Sequence, residues 1–278
     1  YFPPTQLTHS LETKLVENLF FAGQINGTTG YEEAASQGLM AGVNAALKVQ
    51  EKEPFILKRN EAYIGVLIDD LITKGTEEPY RMFTSRAEYR TLLRQDNADL
   101  RLTPRSYELG LASKERMDRV TEKKEKTELL INFLTNLSVK KEDLNYILEK
   151  KNLALVNQSM KLFKVAIRPQ LAFSDFMHLE KLNNFVLEHN INAEVIEQVE
   201  IYLKYSGYIE KEKNNADKLN RLENVNIPQE FDYSKVKSLS FEAREKLNKI
   251  KPTSISQAGR ISGVSPSDIS VLLVYMGR

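Results

Sequence analysis

A chain of 278 residues, 41% hydrophobic and 28% charged with a formal net charge of +1, is long enough for two modest domains of ordinary globular composition. The absence of cysteine excludes disulfides, thiolate metal sites and a cysteine nucleophile, and His9, His178 and His189 lie too far apart in sequence to show metal-ligand spacing. So small a net charge means that any nucleic-acid binding must come from uneven distribution of charge.

The apolar runs, such as 269–276, are too short for a membrane span. No signal-peptide pattern precedes the first expected helix, and Tyr1 stands where a start methionine would. The expectation is a cytoplasmic piece of a longer protein.

In chain order, the apolar run 19–22 reads as a strand that breaks at Gly23, a glycine-punctuated loop follows to Gly30, and 31–50 reads as a helix. No further strand–helix units follow. Residues 62–73 are apolar-rich around Asp69 and Asp70, 80–83 are short and strand-like, and 85–95 read as helical. On a helix the two aspartates point about 100° apart, so capping or ion pairing is the preferred reading for them.

After Pro104 the character changes. Ser113 suits the N-cap of a helix running to about Leu137, with Met117, Val120, Leu129, Leu130, Phe133 and Leu134 on its inner side. Further helical patterns cover 141–151, 174–188, 192–224, 240–250, 255–261 and 266–275. The expected fold is mostly α: a remnant strand–helix element of an α/β domain in residues 1–105, then an all-helical domain in residues 106–278.

The loop Gly23-Gln24-Ile25-Asn26-Gly27-Thr28-Thr29-Gly30 leads into a helix N-terminus, where unpaired N–H groups attract phosphate. Its glycines permit a tight turn and close backbone approach, and its threonines add hydroxyl donors. The Gly-Lys-Ser/Thr ending of a P-loop is missing, so nucleotide hydrolysis is not indicated. Spacing alone leaves two readings open, a cofactor-phosphate loop and a tight turn that binds nothing.

Six of the fourteen arginines fall between Arg81 and Arg105, a stretch without lysine. Arg86, Arg90 and Arg94 recur every fourth residue, which on a helix stacks three guanidiniums on one face. Such forks bind RNA phosphates and stack on bases. Internal pairing with Glu88, Asp96, Asp99 and Glu108 is the competing reading.

Residues 253–275 have the outline of a helix-turn-helix, with Ser265-Pro266-Ser267-Asp268 capping the second helix. That helix carries no basic or amide side chain to read base edges, and its apolar residues run round most of its circumference. DNA binding, or a purely structural helical interaction module, is therefore the alternative reading.

The segment 23–34, together with 60–71, 78–90 and 257–266, resembles the GidA/MnmG family of tRNA wobble-uridine modification enzymes along effectively the whole chain. The resemblance implies a closing element of an FAD-binding domain, with Gln24 matching an FAD-binding glutamine and Gly23, Ile25, Asn26, Gly27, Thr28, Thr29 and Gly30 lying near the flavin and pyrophosphate. It implies tRNA contact by some of Arg81, Arg86, Arg90, Arg94, Arg101 and Arg260, with Arg81 and Arg90 foremost.

For the intact enzyme the resemblance implies FAD, NADH and methylene-tetrahydrofolate, a GTPase partner, a homodimer, and addition of an aminomethyl-type group at C5 of the wobble uridine. The family's opening Gly-x-Gly-x-x-Gly fingerprint and its functional cysteines are missing from these residues. No catalytic or metal-binding residue is therefore expected here, and little FAD affinity without the rest of the domain.

Overall fold

The computed structural model describes every residue except Glu77, Asn224, Gln229 and Arg278, and the backbone alone at 218–220, 222 and 223. Its helices are α1 (Tyr31–Val49), α2 (Tyr63–Lys74), α3 (Ala98–Glu108), α4 (Lys114–Asn136), α5 (Lys141–Lys150) and α6 (Leu162–Ala166). They continue with α7 (Glu180–Glu188), α8 (Ala193–Glu223), α9 (Phe241–Ile250), α10 (Ile255–Arg260) and α11 (Pro266–Tyr275). The mostly helical expectation is met. Residue 224, read as the end of the long helix, lies outside the described residues.

The chain forms two compact units, residues 94–211 and residues 1–93 together with 212–278. The change of character near Pro104 is not a break in structure. Pro104 lies inside α3, whose first turn contains Asp99 and whose helical geometry continues through the missing N–H.

In the unit 94–211, Ser113 caps α4 by accepting a bond from the Arg116 N–H at 3.2 Å. The apolar stripe of α4 then buries Val120, Leu130 and Leu134. Leu130 and Leu134 share one core with Leu144, Leu162, Phe176, Leu182 and Val199. Phe133 stacks on Phe185 at 3.9 Å between centroids. A two-residue antiparallel ladder, β1 (Ser138–Val139) with β2 (Met160–Lys161), closes the turn after α4. Lys204 of α8 donates to the carbonyls of Ala166, Arg168 and Leu171, each at 2.6 Å, and so satisfies the open C-terminal end of the short α6.

In the other unit the expected strand at 19–22 is absent. Only isolated bridges form, Leu7 with Thr13 and Glu12 with Phe20, because Leu11 and Asn18 take left-handed turns that interrupt extended pairing. The region 80–83 likewise contributes a single bridge, Tyr80 with Thr28. The helix expected over 85–95 is also absent: a 3-10 turn at Thr84–Arg86 gives way to a left-handed Tyr89 at φ 52°, which ends helical continuation.

Gly65 in α2 lies against the carbonyls of Leu57 and Lys58, where any β-carbon would collide with backbone. That close approach seats the incoming segment 55–60 on α2.

The terminal helices build their own core from Ile227, Tyr233, Leu239, Leu247, Ile255 and Leu272. Ser265 caps α11 in a capping box with Asp268, as the sequence pattern predicts. Asp268 also accepts the Ser240 N–H at 2.8 Å, stapling the start of α9 to the start of α11. Burial disfavours charge on Asp268, but the backbone donor at Ser240 and the hydroxyl and N–H of Ser265 hold its carboxyl below the usual range. α11 is less enclosed than its composition suggests: Leu272 is fully buried, whereas Val274 is 76% exposed.

Replacing Lys204 with Met strands three carbonyls and is expected to cost the unit 94–211 about 1–3 kcal/mol. Denaturant unfolding measures it, and an unchanged midpoint would show that water serves those carbonyls equally well.

Candidate functional site: the glycine loop and the arginine segment

The glycine loop is organised from within by a residue that sequence reasoning overlooked. Gln37, fully buried on α1, accepts from the Gly23 N–H at 3.1 Å and from Asn26 Nδ2 at 2.8 Å. Its own Nε2 donates to Thr28 Oγ1 at 2.9 Å and to the Glu33 carbonyl at 3.1 Å. Thr28 Oγ1 in turn donates to the Gly23 carbonyl at 3.0 Å. Gly23 and Gly27 both adopt positive φ, at 87° and 81°, which the turn around Gln24–Asn26 requires.

The loop therefore sorts its residues. Asn26 and Thr28 are buried structural parts, while Gln24, Ile25 and Thr29 are exposed. Gln24, Gly27, Thr28 and Thr29 line one side of a cleft of about 350 Å³, faced by Tyr1 and Thr76. Glu33, in the first turn of α1, is buried; its Oε1 accepts the Met82 N–H at 2.8 Å and its Oε2 has no hydrogen-bond partner among the described residues. A carboxylate thus sits where a phosphate at this helix end was expected. The exposed polar side chains that the loop presents to the cleft are Gln24 and Thr29.

Three of the six candidate arginines are committed internally. Arg94 forks onto Asp96 through Nε and Nη2, each at 3.0 Å. Arg101 donates to Asn97 Oδ1 at 2.9 Å and to the Arg94 carbonyl at 3.2 Å. Arg260 pairs with Asp69, its Nε lying 2.7 Å from Oδ2 and its Nη2 donating to Oδ1 at 3.0 Å, and its Nη1 donates to Ser256 Oγ at 2.7 Å.

The remaining three face solvent. Arg81 lies over the Phe83 ring at 5.9 Å and Arg86 over the Tyr80 ring at 4.5 Å, leaving their charges outward. Arg90 is exposed with no partner among the described residues. Without the helix over 85–95, the three-arginine face built on Arg86, Arg90 and Arg94 does not form.

Behind this segment lies a buried ionic cluster. Arg59, 8% exposed, donates from Nη1 to Asp69 Oδ2 at 2.8 Å and to Asp70 Oδ1 at 2.9 Å. Its Nε and Nη2 fork onto Glu88 at 2.9 and 2.5 Å. Tyr80 donates its hydroxyl to Asp70 Oδ2 at 2.9 Å, and Lys74 pairs with Asp70 Oδ1 at 2.8 Å. The ion-pairing reading of Asp69 and Asp70 is therefore met, and the partner that serves both is one guanidinium.

Burial opposes charge on Arg59, Asp69 and Asp70. Glu88 and the two aspartates outweigh it for Arg59 and hold its guanidinium firmly cationic. His9, Arg260 and Arg59 outweigh it for Asp69, and Arg59 and Lys74 for Asp70, so both carboxyls stay below their usual range.

Carboxyls depressed in the fold contribute stability that is complete above the unfolded value of about 3.9 and is lost as pH falls through the lower folded values. The expected acid limb of unfolding therefore lies below about pH 4. Asp69→Ala leaves Arg59 and Arg260 without their shared counter-ion and is expected to cost about 3–5 kcal/mol at neutral pH. Equal neutral-pH stability of variant and wild type would remove the cluster from this role.

Family profiles match three stretches of the chain. "Glucose inhibited division protein A" covers residues 1–53, "tRNA modifying enzyme MnmG/GidA C-terminal helical domain" covers 114–213, and "tRNA modifying enzyme MnmG/GidA C-terminal helical bundle" covers 215–278. Curated proteins named tRNA uridine 5-carboxymethylaminomethyl modification enzyme MnmG are similar over the whole chain, at 70% identity in Christiangramia forsetii and 64% in Flavobacterium psychrophilum.

The chain spans 45% of the length of each of these relatives. The solved structure of Aquifex aeolicus GidA in its form II crystal superposes with a TM-score of 0.83 at 45% identity, covering 99% of this chain and 43% of that one. Among the described residues no helix is long and apolar enough to cross a membrane. The chain belongs to the GidA/MnmG family and corresponds to its C-terminal portion.

Proposed function

We propose that this chain is the C-terminal part of a cytoplasmic, FAD-dependent enzyme that modifies the wobble uridine of tRNA. The observation that carries the reading is 70% identity, across all 278 residues, to a protein named for that uridine modification. In the proposed reaction an aminomethyl-type group is added at C5 of the uridine. NADH and methylene-tetrahydrofolate are co-substrates, and a GTPase partner and a homodimeric enzyme complete the system. Residues 1–105 would then close the flavin site and offer arginines, and residues 106–278 would hold tRNA and the partner.

Gln24 and Thr29, exposed beside the 350 Å³ cleft on a frame fixed by Gln37, are the residues proposed to hold one edge of FAD. The cofactor supplies redox chemistry that no side chain of this portion can supply. The loop's contribution is shape: Gln37 fixes the backbone of Gly23 and the side chains of Asn26 and Thr28, so Gln24 and Thr29 meet the ligand already ordered.

Arg81, Arg86 and Arg90 are proposed to hold RNA phosphates, being exposed cations within ten residues of one another. Arg94, Arg101 and Arg260 act through structure, since each already serves an internal acceptor. The DNA-binding alternative finds no support, because the exposed positions of α11 are Pro266, Ser267, Ser270, Val274 and Tyr275.

Two measurements on the intact protein check this reading. Arg90→Ala is expected to weaken tRNA binding and to lower the salt slope by about one, with wild-type binding and slope as the contrary result. Gln37→Leu is expected to lower the flavin retained on purification, read from its absorbance, whereas full retention would mean that the loop does not hold the cofactor.

A further inference from the structure

A cleft of about 730 Å³ opens beside the buried ionic cluster, in the size range of small-molecule sites. Ile56 and Leu57 supply one part of its apolar lining, and Ile255 and Ile269 another. Polar groups of Asn60, Asn215 and Ser256 open into it, and Lys58 stands in its wall. The Asn60 amide oxygen is buried without a hydrogen-bond partner among the described residues.

The charges decide what this cleft suits. Its three carboxylates are already engaged: Asp69 by Arg59 and Arg260, Glu88 by both ends of the Arg59 fork, and Glu212 by the backbone N–H and hydroxyl of Thr91. Asp69 and Glu88 are balanced by guanidiniums, while Glu212 is held by two neutral donors. Two cations are unspent: the exposed Lys58 in the lining, and Arg90, the residue after the lining Tyr89, neither with an ionic partner among the described residues. An apolar chamber with amide groups and a cationic border matches a flat heteroaromatic base carrying a phosphate.

We propose that this cleft receives one unstacked nucleotide of the bound tRNA, its base between the aliphatic walls and its phosphate on Lys58. This inference rests on the tRNA reading above and adds to it a receptacle separate from the glycine loop. Asn215, exposed on α8 at the cleft lining, selects the base by its amide, and Arg90 holds the next phosphate along the strand.

The test is tRNA affinity of the intact protein across a salt series. Lys58→Ala is expected to weaken binding about threefold to tenfold and to lower the salt slope by about one. Asn215→Trp fills the chamber without removing a charge, so it is expected to weaken binding at an unchanged salt slope. Position 215 is exposed and helical, so the fold should tolerate the change. Should Asn215→Trp fail to fold, Asn215→Glu supplies the second variant and is expected to weaken binding by repelling the phosphate.

If the position-215 variants bind like wild type while Arg90→Ala binds more weakly, the cleft is not a nucleotide site and the tRNA reading stands. If wild-type protein itself shows no preference for tRNA over duplex DNA at matched salt, that reading falls, and this inference with it.

Discussion

One guanidinium, that of Arg59, holds three carboxylates from two other parts of the chain: Asp69 and Asp70 on α2, and Glu88 in the arginine segment. A buried charge is costly unless it is paired and its donors are used. Here all three guanidinium nitrogens of Arg59 have carboxylate acceptors, and Asp69 also pairs with Arg260 of α10. Removing Arg59 takes from Asp69, Asp70 and Glu88 the one cation they share. The cluster therefore specifies one arrangement of four segments, the segment 55–60, α2, the stretch 80–88 and α10. A nonpolar core would hold them together without fixing their register so narrowly.

Tyr80 carries that constraint to the glycine loop. Its hydroxyl donates to Asp70, its backbone N–H donates to the Gly27 carbonyl at 2.7 Å, and its carbonyl accepts from Thr29 at 3.2 Å. Burial and the neighbouring Asp70 push its hydroxyl well above the usual phenol range, so it remains a donor at every physiological pH. Arg86 lies on the face of the same ring. The proposed cofactor edge and the proposed RNA-facing cations are thus fixed to a single side chain, which is fixed to the ionic cluster. The two proposed roles of residues 1–93 share one support.

Much of this was legible in the sequence where local chemistry decides structure. The capping serines at 113 and 265 mark the true starts of α4 and α11, because a side-chain oxygen three residues before a free N–H is a local signal. The misread segments are those where long-range contact prevails. Residues 85–95 have helical spacing, yet Glu88 is drawn to Arg59 and Thr91 to Glu212, and Tyr89 turns left-handed between them. Arg59 and Gln37 escaped notice because a lone arginine in 58–60 and a glutamine within a helix carry no pattern. Only their burial shows what they do. Arg94 by its spacing, and Arg101 and Arg260 by the family resemblance, look like RNA-facing cations and prove to be internal ties for the same reason.

The central claim is that the Arg59 cluster holds the arginine segment and α10 in a single register. Amide hydrogen exchange on the intact protein carrying Arg59→Leu tests it most directly. The account predicts that residues 80–92 and 254–261 lose protection together, although both are distant in sequence from the substitution, while the core around Leu130 and Leu144 stays protected. Loss of protection confined to residues near position 59, with both distant segments exchanging as in wild type, would contradict it.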